Sequence, residues 1–184
     1  MKLTDIEFED PAFKACVLAT GLETAEEITE LKCRKQSISS ASGIEHFPNL
    51  KLLDLTRNKL TELDVSHNPL LEELYLGNNR IEALDLSHNP NLTHLEIFIN
   101  EIAELDLTVT PKLENLYANA NDLEVIDLSS NTDIDEILVS DNNLREIRLP
   151  EGCKPTVFKA ENNMLPEAQK AHLRSLVDSH RCKV

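Results

Sequence analysis

One regularity constrains this chain above all others. From Leu50 onward it repeats itself at a 21-residue spacing, at Leu50, Leu71, Leu92, Leu113 and Ile134. The unit from Leu71 reads L-E-E-L-Y-L-G-N-N-R-I-E-A-L-D-L-S-H-N-P-N, and the next reads L-T-H-L-E-I-F-I-N-E-I-A-E-L-D-L-T-V-T-P-K. A weaker 22-residue unit, residues 28–49, precedes them, and a partial one, residues 155–165, follows. A fixed period of this length defines a solenoid, whose coils cannot bury their own apolar residues and must stack to do so. Leu occurs 30 times and Asn 16 times in 184 residues, and both concentrate in the repeat.

Within one unit the pattern L-x-x-L-x-L-x-x-N occurs twice, at Leu71, Leu74, Leu76, Asn79 and again at Ile81, Leu84, Leu86, Asn89. The L-x-L alternation has the period of a strand with one buried face. A 21-residue coil leaves no room for a long helix on its return side. Each coil should therefore hold one short strand, centred near Asp54, Tyr75, Glu96, Tyr117 or Leu138, and an extended arc opposite. The column Asn58, Asn79, Asn100, Asn121, Asn142, Asn163 follows the strands. An amide there can satisfy backbone groups freed where the chain turns inward.

The pattern resembles the leucine-rich-repeat family in its bacterial 21-residue variety, with nested ten- and eleven-residue units over residues 28–165. Phe8-Glu-Asp-Pro-Ala-Phe-Lys-Ala-Cys16, followed by Gly43-Ile-Glu-His-Phe-Pro-Asn-Leu50, resembles the helical N-terminal cap and first repeat of internalin-like bacterial proteins. The resemblance implies a right-handed leucine-rich-repeat solenoid of mainly parallel short strands, with few helices except at the caps. Residues 1–27 would be a helical N-terminal cap, 28–165 about seven repeats, and 166–184 a helical C-terminal cap. Ala168, Leu173, Leu176 and Val177 would form that last cap's apolar face. It further implies a non-enzymatic module binding a protein partner on its concave sheet, or, alternatively, a bacterial virulence or surface effector binding a host protein. Relatives often carry a D-x-N-x-D-G stretch in the N-terminal cap. Here Gly21-Leu-Glu-Thr-Ala-Glu-Glu-Ile28 lacks the ligand spacing of a calcium loop, so calcium is not carried over.

The remaining chemistry is sparse. A formal charge of −15 repels phosphates and anionic lipid, which disfavours nucleic acid and membrane as partners. Four scattered glycines exclude dinucleotide-binding and phosphate-binding loops. No catalytic motif is present, and Cys153 has no matched histidine to make it a nucleophile. Neither a cofactor nor a metal is expected. His67 and His88, each in Ser-His-Asn-Pro, and the tail's His180-Arg-Cys182 read as surface residues rather than ligands. Asp64, Asp85, Asp106 and Asp127, each two residues before Ser or Thr, read as turn caps more readily than as a cation-binding edge. Without an apolar leader in Met1–Asp10, the expectation is a cytoplasmic monomer with Cys16, Cys33, Cys153 and Cys182 reduced. Export by a signal-peptide-independent route, with disulfides at both ends, is the alternative.

The x positions of L-x-L define the face a partner would meet. Its central column is Lys32, Asp54, Tyr75, Glu96, Tyr117, Leu138, Lys159. Before it runs Glu30, Leu52, Glu73, His94, Asn115, Glu136, Val157, and after it Arg34, Thr56, Gly77, Phe98, Asn119, Ser140, Glu161. Three of the chain's seven aromatics cluster here on neighbouring coils, and aromatics anchor interfaces. Between Ile81 and Leu144 fourteen acidic residues face a single base, Lys112. Tyr75, Glu96, Phe98, Tyr117, Asn119 and Leu138 are thus the expected partner-binding residues, for a partner with a basic surface. An acidic inhibitor of a basic enzyme is a further alternative. The tyrosines and Phe98 should stand exposed, with Glu96 between the two rings and room there for one partner side chain.

Overall fold

The computed structural model describes residues 1–177 and 181–184, so His180 lies outside the described residues. Leu53, Leu74, Leu95, Leu116, Ile137 and Phe158 are fully buried, and each is the middle residue of a three-residue strand. In chain order the strands are β1 (Glu30–Lys32), β2 (Leu52–Asp54), β3 (Glu73–Tyr75), β4 (His94–Glu96), β5 (Asn115–Tyr117), β6 (Val125–Asp127), β7 (Glu136–Leu138), β8 (Glu146–Arg148), β9 (Val157–Lys159) and β10 (Cys182–Lys183). Two helices, α1 (Pro11–Leu18) and α2 (Glu167–Leu176), stand at the ends.

Eight strands form one sheet in the order β1-β2-β3-β4-β5-β7-β9-β10. Every pairing is parallel and in register, so Leu53, Leu74, Leu95, Leu116, Ile137 and Phe158 stack as one column. Alternation then puts Leu55, Leu76, Ile97, Ala118, Val139 and Ala160 in a second buried column. The strands are centred on these middle leucines, one residue earlier than expected, so Asp54, Tyr75, Glu96, Tyr117 and Leu138 end their strands. A three-residue 3-10 turn, Ile44–His46, is the longest helical segment between neighbouring strands from β1 to β9. The return arcs are otherwise turns and irregular backbone, and on two coils they pair as a second small sheet, β6–β8.

The asparagine column closes each coil. Asn100 Nδ2 donates to the carbonyls of Leu76 at 3.1 Å and Ile97 at 3.0 Å, while its Oδ1 accepts from the Ile81 amide at 3.0 Å. Asn79, Asn121, Asn142 and Asn163 repeat the set, and Asn58 bonds the carbonyls of Cys33 and Leu55. The residue before each asparagine is left-handed, from Arg57 at φ 59° to Asn162 at φ 56°. A second set lies on the return side. Asn68, Asn89 and Asn131 are completely buried, and each amide donates to two carbonyls of the coil before it. Thr110 takes the same place on the coil between Asn89 and Asn131.

The ends are sealed differently. Asp10 caps α1, with Oδ1 accepting from the amides of Ala12 and Phe13 at 2.7 and 3.1 Å. Its Oδ2 accepts from the Ser39 amide at 2.7 Å and hydroxyl at 2.9 Å, tying the helix to the first coil. Burial opposes the charge, but these donors outweigh it and hold the carboxyl down at about 2. The stabilisation is thus complete above the ordinary carboxylate range and lost as pH falls through about 2.

Cys16 and Cys33 are joined by a disulfide, against the expectation of reduced thiols. The cap lays α1 on the first coil and brings the two Cα atoms to 5.9 Å, within bonding reach. Cys153 and Cys182 are free and half-buried, so the second end carries no such bond. There α2 begins after Pro166, buries Leu173 and leaves Ala168 exposed rather than on the apolar face. Gln169 bonds the backbone amide and carbonyl of Ile147, replacing a strand neighbour for β8. The tail then returns as β10, pairing Cys182 with Phe158 and Lys183 with Lys159.

Replacing Asn100 with Ala leaves three backbone groups unpaired and should lower unfolding free energy by about 3 kcal/mol in a denaturant titration. A loss below about 0.5 kcal/mol would mean water substitutes for the amide. Thiol titration of the denatured, unreduced protein should find two thiols, Cys153 and Cys182. Reductant should cost about 3 kcal/mol of stability, the worth of a loop of this size. Four titratable thiols would contradict the bond.

Candidate protein-binding face

The register puts every side chain of the three expected columns on the outer side of the eight-stranded sheet. Tyr75, Glu96, Tyr117 and Leu138 form one row across β3, β4, β5 and β7. Phe98 and Asn119 lie two residues further along their coils. All six are half-buried, whereas the aromatics were expected to stand exposed.

For the two tyrosines the reason is His94. It precedes Glu96 by two residues on β4, so it faces the same way, and its ring leans between the two tyrosines. Ring centroids are 4.9 Å from Tyr75, in a tilted stack, and 5.2 Å from Tyr117, edge to face. The space assigned to a partner side chain is therefore filled by the chain itself. His94 Nε2 also meets Glu96 Oε1 at 3.1 Å.

Each tyrosine holds a carboxylate of its own. The Tyr75 hydroxyl donates to Glu73 Oε2 at 2.5 Å, and the Tyr117 hydroxyl donates to Glu136 Oε2 across to the next coil. Three glutamates, Glu73, Glu96 and Glu136, are thus oriented by three rings. Burial, then the Glu136 bond and the nearby carboxylates, push Tyr117 up to about 12. Burial, the Glu73 bond and the charges of Glu73, Glu96 and Asp54 raise Tyr75 further still.

Flanking residues complete the surface. The Phe98 ring covers Gly77, where an added Cβ would sit 2.4 Å from ring carbons, so the glycine makes room for the ring. Asn119 does not project freely, since its Oδ1 accepts from the Ser140 amide at 2.9 Å. At the first-coil end, Arg34 Nε meets Asp54 Oδ2 at 2.6 Å and Lys32 meets Glu30 at 3.0 Å. Lys159 lies at the other end, so Lys and Arg occur on this face only at its margins, where Lys32 and Arg34 are paired with Glu30 and Asp54. Glu73, His94 and Glu136 were placed on this face by the sequence, in the column before the tyrosines. Glu73 and His94 bond within their own strands, while His94 against both tyrosines and Glu136 against Tyr117 cross diagonally between coils, which a column-by-column reading does not show.

The other candidates take local roles. Asp64, Asp85, Asp106 and Asp127 each accept from the amide of the Ser or Thr two residues on, at 2.8–3.0 Å. Bonds to those hydroxyls and amides hold Asp64, Asp85 and Asp127 below the usual carboxylate range. His67 and His88 bond the neighbouring serine hydroxyls. Among the described residues no three His, Cys, Asp or Glu side chains gather as a metal site.

No family model matches this chain, nor does any curated protein. Solved structures do. The functional domain of InlJ from Listeria monocytogenes is 28% identical, with a TM-score of 0.83 over 91% of this chain and 39% of its own. An internalin from the same species, InlF, is 21% identical, with a TM-score of 0.82 over 96% of this chain and 56% of its own. YopM from Yersinia enterocolitica is 30% identical, with a TM-score of 0.67 over 77% of this chain and 30% of its own. The repeat, the parallel sheet and these likenesses define a leucine-rich-repeat solenoid. Within that class the chain is similar to internalins and other bacterial leucine-rich-repeat proteins, and it spans about half or less of their length.

The chain has two tyrosines and no tryptophan, so the stack has a direct optical reporter. In the folded protein phenolate absorbance should rise only near pH 12 and above, and revert to about pH 10 in denaturant. Because both folded values are raised, stability should begin to fall once pH passes about 10. A tyrosine ionising near pH 10 while circular dichroism still reports a native fold would break the assignment.

Proposed function

We propose that the chain is a non-enzymatic protein-interaction module that binds a partner with a basic surface through the eight-stranded face. The observation that carries this is the set Glu73, Glu96 and Glu136, each held by an aromatic side chain at the centre of that face. Fixed carboxylates need little reorganisation to meet Arg or Lys, and stacked strands are the surface on which solenoids bind. The net charge of −15 would speed the encounter with a basic protein and disfavours nucleic acid. Catalysis has no support in the thiols. Burial and then the Asp135 charge raise the Cys153 thiol, the opposite of nucleophile activation. None of the described helices is long and apolar enough to cross a membrane.

The Cys16–Cys33 bond favours a second reading on location. Such bonds persist in oxidising surroundings, so an exported protein binding outside the cell fits better than the cytoplasmic one expected from sequence. Nothing in the site favours inhibition of an enzyme over other binding.

Affinity capture from the native cell and its medium, with mass spectrometry, would identify the partner. Its binding should then weaken about tenfold or more in the triple variant Glu73→Gln, Glu96→Gln, Glu136→Gln, with a flatter salt dependence and a near-native melting temperature. Unchanged affinity in a folded triple variant would move the binding surface off this face.

A further inference from the structure

Ile99 occupies a backbone position poorly suited to it. It precedes Asn100 with φ 54°, in the left-handed region where a β-branched residue is a genuine outlier. The equivalent positions hold Lys35, Arg57, Asn78, Ala120, Asp141 and Asn162, none of them β-branched. Burial does not offset the strain, because Ile99 is 50% exposed. Nor does the turn need isoleucine, since the bonds of Asn100 set its shape and recur on coils with polar residues there. A strained, exposed apolar group that the fold does not use points to a use outside the fold.

Its neighbours say what that use is. Glu96, Phe98 and Ile99 follow one another on a single coil, with Glu73 on the coil before it and Glu136 two coils on, held by Tyr117 of the coil between. We propose that Ile99 and Phe98 form the apolar half of a recognition site whose charged half is Glu73, Glu96 and Glu136. The occupant is an extended segment of a partner protein that sets an Arg or Lys close to a large apolar residue. Charge complementarity selects the first side chain, and the large apolar pair beside the carboxylates selects the second. This rests on the reading of the sheet as the binding face and adds a contact on its rim.

Ile99→Asn and Ile99→Gly relieve the left-handed strain, so both should raise the melting temperature, by about 2–4 °C for a chain of this size. Random peptides displayed on phage and selected against the wild-type chain serve as the binding probe. Selected sequences should pair Arg or Lys with Leu, Ile or Phe, and should lose at least about fivefold in affinity for Ile99→Asn despite its greater stability. A lowered melting temperature in both variants would make Ile99 structural and overturn the proposal. Peptides that bind Ile99→Asn as well as wild type but lose binding to Glu96→Gln would overturn it too, while leaving the face itself standing. Selected peptides with no basic and apolar pairing, or no selected peptides, would overturn both.

Discussion

The asparagine amide after each strand is the bond on which the rest of this molecule depends. A 21-residue coil must turn sharply into its return arc, and the turn strands backbone groups inside the stack. One amide satisfies two carbonyls and one N–H there, and it reaches back to the preceding coil for one of those carbonyls and for the N–H. It therefore fixes the local turn and the stacking register together. The leucine columns supply the driving force, but any stacking offset would bury leucine. The amide ladder is what makes one offset better than its neighbours.

That ladder explains how much of the fold was legible. Any two positions one full repeat apart had to share an environment, so the three face columns and the buried columns follow from the period alone, and the pairings agree. Breaks in the period were harder. The Cys16–Cys33 bond joins the cap to the first coil; Cys16 lies outside the repeat, and the positions matching Cys33 hold Leu55 and Leu76, so no recurrence points one cysteine to the other. The strand at Cys182 completes a last coil whose return arc has been replaced by α2, so its spacing from Phe158 is not a repeat length. The buried Asn68, Asn89 and Asn131 were visible in the nested pattern, but their partners emerge only from the stacking of return arcs.

The face shows the same division between what a period gives and what geometry adds. Strand alternation sends Tyr75, His94, Glu96 and Tyr117 outward. It does not say that His94 leans into the gap between the rings or that the tyrosine hydroxyls turn toward glutamates. Those contacts depend on rotamers and on the diagonal between coils. They convert an expected open cleft into a filled, preorganised acidic surface. Chemically the difference is large. A cleft would select by shape, whereas fixed carboxylates select by charge and hydrogen-bond geometry.

The two ends of the stack are unequal, and in a one-dimensional assembly inequality at the ends sets a direction. Each coil leans only on its neighbours, so loss of order travels inward from whichever terminus lets go first. At one terminus a covalent bond and a buried, multiply bonded aspartate clamp the first coil. At the other, a ten-residue helix and a two-residue strand hold the last coil by non-covalent contacts alone. Fraying is thus biased toward the C-terminal coils. During synthesis the same order runs forward, because the first coil, held by Asp10, leaves the ribosome before the coils that stack on it.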